Sequence, residues 1–251
     1  MKVIYEPSGR ALEYAPLACN LYRGCSHGCR YCYAPAVLHR PREEWRQDYP
    51  PVRPGILDAL RLDAETMRQA KDEREVLFCF SCDPYHGGDT SPTREALRIM
   101  GEPGLHATVL TKGAWRAERD FDLLKQYGFS FGTSVVWDND QDGANWEPGA
   151  PLISERYRVL KDAHDAGIRT WVSLEPVIDR RQALGILLDL ASFVDHWKVG
   201  KVNHQPELEA AVDWAVFLHD VTDLLDSLGA DYYIKRDLAV YGTTGCNQED
   251  V

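Results

Sequence analysis

The stretch Cys25-Ser26-His27-Gly28-Cys29-Arg30-Tyr31-Cys32 determines how the rest of this sequence is interpreted. Its three thiols have the spacing C-x3-C-x2-C and follow a short apolar run near the N-terminus. Three thiolates from one tight loop can hold three irons of a cubane [4Fe–4S] cluster. The fourth iron then has no protein ligand and can bind another molecule. The spacing therefore predicts an iron–sulfur site whose ligands are Cys25, Cys29 and Cys32.

A structural zinc site is the alternative interpretation of the same thiols. Such sites take four closed ligands, often from two C-x2-C pairs. His27 or Cys19 would then be the fourth ligand beside the three cysteines. The cysteine spacing alone leaves this alternative open.

Length and composition indicate a globular protein. The chain has 251 residues, of which 44% are hydrophobic and 27% are charged, as in ordinary soluble proteins. No run of eighteen apolar residues and no signal-peptide core appears, so we expect no membrane span and a cytoplasmic location. The seven cysteines are odd in number and three lie within eight residues, which suits a reducing compartment better than a disulfide framework.

The formal net charge of −11 bears on the choice of partner. Proteins that grip duplex DNA by its phosphates usually carry a basic excess, which this chain lacks overall. Local basic groups occur at Arg40, Arg42, Arg46 and Arg53, and at Lys235-Arg236. A role in binding a small anionic patch is the alternative; they are interpreted as a solvated face balanced by Glu43 and Glu44.

Apolar strand patterns alternate with helical patterns along most of the chain. Seven runs have the character of strands: 18–22, 76–81, 107–112, 129–134, 168–174, 197–199 and 231–234. About six βα units at this spacing predict an α/β fold, a partial (βα)6 TIM-type barrel with a parallel sheet and helices outside. An open doubly wound sheet is the alternative.

The same reading gives a domain organisation and two local predictions. Residues 1–251 form a single domain, with an irregular N-terminal arm at 1–17 and a mobile tail at 242–251. Residues 138–151, rich in Asp, Asn and Gly, are predicted to be a loop. An apolar stripe predicts that the longest helix covers residues 206–228.

The stretch from Asn20 to Tyr33 resembles the cluster motif of radical S-adenosylmethionine (SAM) enzymes, and specifically their spore photoproduct lyase-like branch. The resemblance extends to about residue 180 through Cys82-Asp83-Pro84-Tyr85, Thr111-Lys112, Glu147-Pro148-Gly149-Ala150-Pro151 and Arg156. It implies that the open iron binds SAM. An external electron donor then reduces the cluster, SAM is cleaved to a 5′-deoxyadenosyl radical, and this radical takes hydrogen from a substrate.

The resemblance also implies roles for individual residues in SAM binding. Asp83 would bind the SAM amino group, Lys112 the carboxylate and Ser134 the ribose, while Tyr33 would lie near the adenine. A zwitterionic amino acid needs one anion and one cation held apart, which Asp83 and Lys112 supply. Glu175, at the end of the fifth strand, would bind the ribose or a substrate amine, or cap the next helix.

Cys82 is the candidate hydrogen donor to the product radical. Spore photoproduct lyase uses a cysteine near this strand end, and here Cys79 and Cys82 bracket that place. Cys79 is interpreted as a packed strand residue, which leaves Cys82 beside Asp83 as the better candidate. This departure, together with the acidic charge and short chain, argues against thymine-dimer repair in particular.

The sequence therefore predicts a radical SAM enzyme, of lyase or modifying type, with a nucleotide or nucleobase as substrate by analogy with the branch. Three alternatives are kept, of which one is a cluster protein that uses SAM without releasing a radical. The other two differ more widely. One is a radical SAM enzyme that acts on a peptide or a small metabolite, which the acidic charge favours. The other is a non-catalytic module that binds a metal or a nucleic acid.

Overall fold

A computed structural model describes residues 2–245 of the chain, and side chains are described for residues 2–242. Seven strands form one sheet in chain order, and every neighbouring pair is parallel. The strands are β1 Leu17–Ala18, β2 Val76–Phe78, β3 Ala107–Thr111, β4 Ser130–Ser134, β5 Thr170–Val177, β6 His196–Lys201 and β7 Tyr232–Ile234. Since each strand lies beside the preceding one, the sheet curls in one direction, as a barrel does.

Helices cover the outside of this sheet. In chain order they are α1 Ala34–Val37, α2 Arg42–Trp45, α3 Ile56–Ala70, α4 Ser91–Gly101, α5 Phe121–Tyr127, α6 Asp140–Trp146, α7 Ile153–Asp165, α8 Arg180–Leu190, α9 Pro206–Ala210, α10 Trp214–Ser227 and α11 Arg236–Ala239. The seven parallel strands and their helices form a half-barrel, which confirms the predicted partial TIM-type fold.

The core lies between the sheet and these helices. Apolar strand residues such as Val109, Phe131 and Val172 are almost fully buried, as are Leu60 of α3 and Phe217 of α10. Burying each such side chain stabilises the fold by about 1.5–3 kcal/mol relative to exposure. The apolar runs of the sequence therefore fix which elements pack together.

Two local predictions were wrong because a capping side chain begins a helix inside each of the two segments. Residues 138–151 contain the helix α6, whose N-terminus is capped by Asn139 accepting a hydrogen bond from the Asp142 amide at 2.9 Å. The predicted helix at 206–228 is divided in two, and Asp213 caps the second part by accepting from the Val216 amide at 3.1 Å. Asn and Asp favour loops and helix starts alike, so composition alone does not separate these outcomes.

The N-terminal arm crosses to the last strands of the sheet. We call residues 9–14 the strap; it begins with a 3₁₀ helix at Gly9–Glu13. The Glu13 carboxylate accepts from the Tyr233 hydroxyl and from the Arg236 amide, both at 2.8 Å. The Lys198 ammonium donates to the Glu13 carbonyl at 3.0 Å. The strap therefore joins the start of the chain to β6 and β7.

The C-terminal tail is only partly described. Residues Val240–Gly245 form a short 3₁₀ helix, and the rest of the predicted tail, 246–251, lies outside the described residues. Within the described range, no helix combines the length and apolar character needed to cross a bilayer.

Candidate active site

A cavity of about 410 Å³ is lined by residues that follow the carboxyl ends of the strands. All the site residues predicted from the sequence line it: Cys25, Cys29, Cys32, Tyr33, Cys82, Asp83, Lys112, Ser134 and Glu175. In a parallel barrel the strand ends converge on one face, which explains why residues far apart in sequence meet here. The roles assigned to them stay predictions, whereas their convergence is a property of the fold.

The cysteine loop is held by its own backbone and by two neighbouring segments. Gly28 has φ +64°, a left-handed conformation that glycine adopts without steric cost. The Cys32 amide donates to the Cys29 carbonyl at 3.1 Å. The Arg42 guanidinium, from α2, donates to the carbonyls of Cys29 and Cys32 at 2.8 and 2.9 Å. These bonds hold the backbone at the second and third cysteines in place.

The segment 147–151 holds the opposite side of the same loop. The Gly149 amide donates to the His27 carbonyl at 2.8 Å, and the Arg30 amide donates to the Trp146 carbonyl at 2.8 Å. The backbones are so close that a Cβ at Gly149 would lie 2.0 Å from the Ser26 carbonyl oxygen. A glycine is therefore required where this segment crosses the cysteine loop.

A buried ion pair anchors this segment to the sheet. Arg156 of α7 pairs with Glu147, and the Tyr31 hydroxyl donates to the same carboxylate. Burial raises the pKa of Glu147, and Arg156 opposes that rise. Arg156 also donates to the carbonyl of Pro151 at 2.9 Å and to that of Ser134, at the end of β4, at 3.3 Å. One guanidinium thus connects the cysteine loop to a strand end.

Asp83 is surrounded by donors. Its Oδ1 accepts from the Tyr85 amide at 2.8 Å and from the Thr111 hydroxyl at 2.5 Å, and its Oδ2 accepts from the Lys112 amide at 2.8 Å. The Nε2 of His27 lies 2.9 Å from Oδ2. Burial opposes ionisation of Asp83, but His27 and these hydrogen bonds outweigh it and hold its pKa well below the usual range. Asp83 is thus an anion that links the cysteine loop to β3.

The three thiols fit an iron–sulfur group by their chemistry. Burial raises the pKa of Cys29 to about 12, opposed by the Lys112 cation, and burial also raises the pKa of Cys25 and Cys32. Such thiols become thiolates readily only when a bound metal supplies positive charge. Within residues 2–245 no group of three or more His, Cys, Asp and Glu side chains is arranged around a single metal ion.

Three further cavity residues are those predicted to contact SAM: Lys112, Ser134 and Tyr33. The Lys112 ammonium lies 5.6 Å from the centroid of the Tyr31 ring and has no carboxylate partner within the described residues. The hydroxyl of Ser134 makes no hydrogen bond there either. The ring of Tyr33 lies 5.5 Å from that of Phe80, and its hydroxyl donates to the Phe80 carbonyl at 3.1 Å.

Glu175 occupies the other end of the cavity with two partners that the sequence analysis missed. It pairs with the buried Lys235 and accepts from the Tyr14 hydroxyl of the strap. The Lys235 ammonium lies 3.2 Å from the Tyr14 ring centroid. Burial lowers the pKa of Lys235, and Glu175 opposes that shift. Lys235 follows the last predicted strand, so the same strand-end argument could have found it; nothing in the sequence pointed to Tyr14.

Both candidate hydrogen donors reach the cavity. β2 ends at Phe78, so Cys79 follows the strand and is not the strand residue that the sequence predicted. Cys79 and Cys82 form a second C-x2-C pair, and both line the cavity with 3% and 7% of their surface exposed. Burial, followed by the contact with Cys82, raises the pKa of Cys79 well above its ordinary value. The raised pKa of Cys79 favours its protonated, neutral form.

A family model and curated relatives match much of this chain. The family model described as the Radical SAM superfamily matches residues 19–182. An uncharacterised protein of Mycobacterium tuberculosis (strain H37Rv) is 27% identical over 198 residues, which cover 73% of this chain and 55% of the relative. The chain thus spans about half the length of the curated relatives that it matches.

Solved structures share the fold. A spore photoproduct lyase mutant with bound AdoMet and dinucleoside spore photoproduct has a TM-score of 0.69 at 15% identity, covering 92% of this chain and 78% of that one. Streptococcus suis SuiB bound to the precursor peptide SuiA has a TM-score of 0.61 at 15% identity, covering 87% of this chain and 48% of that one. At these identities the likeness concerns the fold alone.

Proposed function

This chain belongs to the radical SAM superfamily, and from that membership we propose that it holds a [4Fe–4S] cluster on Cys25, Cys29 and Cys32 and binds SAM beside it. When bound, these groups supply a one-electron cleavage of SAM to a 5′-deoxyadenosyl radical that takes hydrogen from a substrate. The observation that carries the proposal is that the three thiols share one cavity with Lys112 and Cys82.

Lys112 is the residue best suited to hold the SAM carboxylate. Its ammonium faces the cavity without a carboxylate partner in the described part of the chain, and its backbone is fixed by the bond from its amide to Asp83. A charge-assisted hydrogen bond from such a held cation gives both affinity and orientation. Ser134 offers its free hydroxyl to the ribose, and Tyr33 offers its ring to the adenine.

Asp83 is proposed to receive the SAM amino group. A carboxylate has about four lone-pair sites, and Tyr85, Thr111, Lys112 and His27 already approach Asp83. An incoming amino group would therefore replace the His27 contact, because the other three donors belong to the turn at Asp83–Tyr85 and to the end of β3. In our proposal Glu175 serves the ribose or a substrate amine at the far end of the cavity.

Cys82 is proposed to return hydrogen to a substrate radical. It lines the cavity next to Asp83, and the neutral thiol of Cys79 adjoins it. The loss of one hydrogen atom from the Cys82 thiol to a carbon radical leaves a sulfur radical and a closed-shell product. The enzyme is then of lyase or modifying type.

A nucleotide or nucleobase is the substrate class that the cavity favours. The rings of Tyr14 and Phe80 lie 5.8 Å apart and both line the cavity, in addition to the Tyr33 ring proposed for the SAM adenine. Stacking on such rings stabilises a bound base by about 1–3 kcal/mol. The net charge of −11 favours the alternative, a peptide or small metabolite, over a long polyanion.

A cytoplasmic location is part of the proposal. The six cysteines within residues 2–245 are free thiols, which suits a reducing compartment.

The test is anaerobic reconstitution with iron and sulfide, followed by dithionite and SAM. We expect release of 5′-deoxyadenosine that depends on both reductant and cluster. Release is then compared after adding single-stranded DNA, RNA, or the peptide and small-molecule fractions of a cell extract; an increase identifies the substrate class.

Two results would contradict the proposal. A preparation that keeps one tightly bound zinc and shows no iron–sulfur absorbance would support a non-catalytic metal-binding module instead. A complete cluster that is reduced by dithionite but leaves SAM intact would refute the cleavage step.

A further inference from the structure

A second cavity, of about 430 Å³, also reaches the three cysteines. The two cavities share Cys25, Cys29 and Cys32 and no other lining residue. The rest of the second lining comes from the cysteine loop and the segment after it: Gly28, Pro35, Arg42, Glu43, Trp45 and Arg46. The thiols therefore have one approach from the proposed SAM side and another from the segment that contains α1 and α2.

The wall of this second cavity is attached directly to the cysteine loop. The Cys25 amide donates to the Trp45 carbonyl at 3.1 Å, and the Gln47 amide donates to the Cys25 carbonyl at 3.2 Å. Arg42 bonds the carbonyls of Cys29 and Cys32, as described above. A molecule seated against this wall would therefore lie beside the cysteine loop.

This part of the chain is basic although the whole protein is acidic. Residues 23–53 contain six arginines and three carboxylates, a net charge of +3, whereas the whole chain carries −11. Arg40, Arg42 and Arg46 are exposed. We call these three residues and the second cavity the basic face.

The arginines of this segment are unusual because they lack ionic partners. Ten of the eleven arginines between positions 61 and 180 pair with a carboxylate. Within residues 2–245 none of the six arginines at 23–53 does, and Glu43 and Glu44 do not balance them as the sequence suggested. Their positive charge is thus available to a partner.

We propose that the basic face is the docking surface for an acidic one-electron carrier protein, which reduces the group on the three cysteines. The inference rests on the proposed function and adds the route by which the electron arrives. One electron leaves the reduced carrier, which is oxidised by one electron, and enters the cysteine-bound group, which is reduced by one. No bond is formed or broken and no proton is transferred in this step.

One feature favours a protein over a nucleic acid as the partner. Leu38, two positions before Arg40, is 41% exposed. Exposed apolar side chains beside charged ones are typical of protein interfaces, and complementary charge speeds the encounter of two proteins.

The experiment measures binding of the reconstituted holoenzyme to two probes, an acidic flavodoxin and an acidic plant-type ferredoxin. The variant Arg40→Gln/Arg46→Gln removes two charges from the basic face. The control Lys125→Gln/Arg181→Gln removes two charges from exposed residues on α5 and α8. We expect the first variant to bind about tenfold more weakly at low salt, with the difference shrinking at high salt, and the control to bind nearly as the wild type.

A second measurement distinguishes weaker docking of the carrier from damage to the cysteine site. In each variant the rate of cluster reduction by the carrier is divided by the rate with dithionite, which needs no docking surface. We expect this ratio to fall about tenfold for Arg40→Gln/Arg46→Gln. Arg40→Gln alone provides a milder variant, because Arg46 packs on Gly28 and its loss could disturb the cysteine loop.

The outcomes are distinct. Equal losses in both double variants, or an unchanged ratio, would overturn the docking surface while leaving the proposed function intact. Loss of binding to duplex DNA with carrier binding unchanged would assign the basic face to a nucleic acid and also overturn it. Failure of dithionite to support SAM cleavage would instead count against the proposed function.

Discussion

Gly149 and His27 are joined by a hydrogen bond of 2.8 Å from the amide of the first to the carbonyl of the second, at the point where the segment 147–151 crosses the cysteine loop. A side chain at position 149 would collide with the Ser26 carbonyl. We expect Gly149→Ala to lower the free energy of unfolding by about 1–3 kcal/mol, as overpacking does, and to reduce iron content.

Chemical unfolding and iron assays check this prediction. Gly185→Ala is the control, because position 185 lies inside α8 and its Cβ would have 3.4 Å of clearance from Asp138. Alanine there should stabilise the protein by about 0.5–1 kcal/mol. If Gly149→Ala kept wild-type stability and iron content, the two backbones would be able to move apart and the prediction would be wrong.

Cys29→Ala should prevent cluster assembly, because a cluster held by three cysteines would lose one of its ligands. Iron and sulfide analysis after reconstitution, with the electron paramagnetic resonance spectrum, provides the measurement. Cys19→Ala is the matched control: Cys19 is completely buried and lines neither cavity. Full iron content in Cys29→Ala, or loss of the metal in Cys19→Ala, would require a different set of ligands.

Lys112→Ala should weaken SAM binding and spare the cluster. A hydrogen bond to a charged group contributes about 1.5–3 kcal/mol, which corresponds to a rise of about 10- to 100-fold in Kd. Anaerobic calorimetry of the loaded protein measures the affinity. Lys125→Ala, on the exposed face of α5, should leave it unchanged, and an equal Kd for Lys112→Ala would remove Lys112 from the SAM site.

Glu175 and Lys235 should show strong coupling in a double-mutant cycle. Glu175→Gln leaves a buried ammonium without its counter-ion, which costs about 3–5 kcal/mol in related cases. Glu175→Gln/Lys235→Met removes the unpaired charge and should be less destabilised than Glu175→Gln alone. Urea unfolding of the four proteins measures the coupling; simple additivity of the two single changes would contradict it.

His86 should make the protein less stable in mild acid. Burial lowers its pKa from about 6.5 to about 4, and its Nδ1 accepts from the Gly88 amide at 2.9 Å. Between these values the unfolded chain takes up a proton that the folded one refuses, so the free energy of unfolding falls as pH drops from about 6.5 to about 4.

The control for His86 compares how the stability of the wild type and of His86→Asn depends on pH. His86→Asn removes the titrating group and can still accept a hydrogen bond. Unfolding at pH 7.5, 5.5 and 4.5 should show a smaller fall in stability with pH for this variant than for the wild type. Parallel curves would assign the acid sensitivity to other groups.

The strand-end argument predicted most of the site because it depends on topology. Once the sheet was expected to be parallel, Asp83, Lys112 and Glu175 had to approach one another, and all three line one cavity. The cysteine spacing indicated at which end of the sheet the candidate site should lie. Their chemical surroundings were not predictable, since two backbone amides and the side chains of Thr111 and His27 meet at Asp83 through contacts that sequence patterns do not encode.

Other parts of the site depend on contacts between distant residues. Tyr14 reaches Glu175 from an arm that appeared irregular, and Glu147 was matched only by resemblance until its pair with Arg156 gave it a physical role. The basic face was misjudged for a related reason. Glu43 and Glu44 are neighbours of Arg42 in sequence, but they form no ion pairs with it.

The strap has a consequence for the order in which the molecule can be completed during synthesis. Glu13 finds its partners 220 and 223 positions later, at Tyr233 and Arg236. A ribosome releases the N-terminal part of a chain first. Every residue of the cysteine loop therefore emerges long before the strap can bond to Tyr233 and Arg236. If the cysteines hold the proposed cluster, metal delivery has an interval in which the nascent barrel is still open on one side, and the last strand ends that interval.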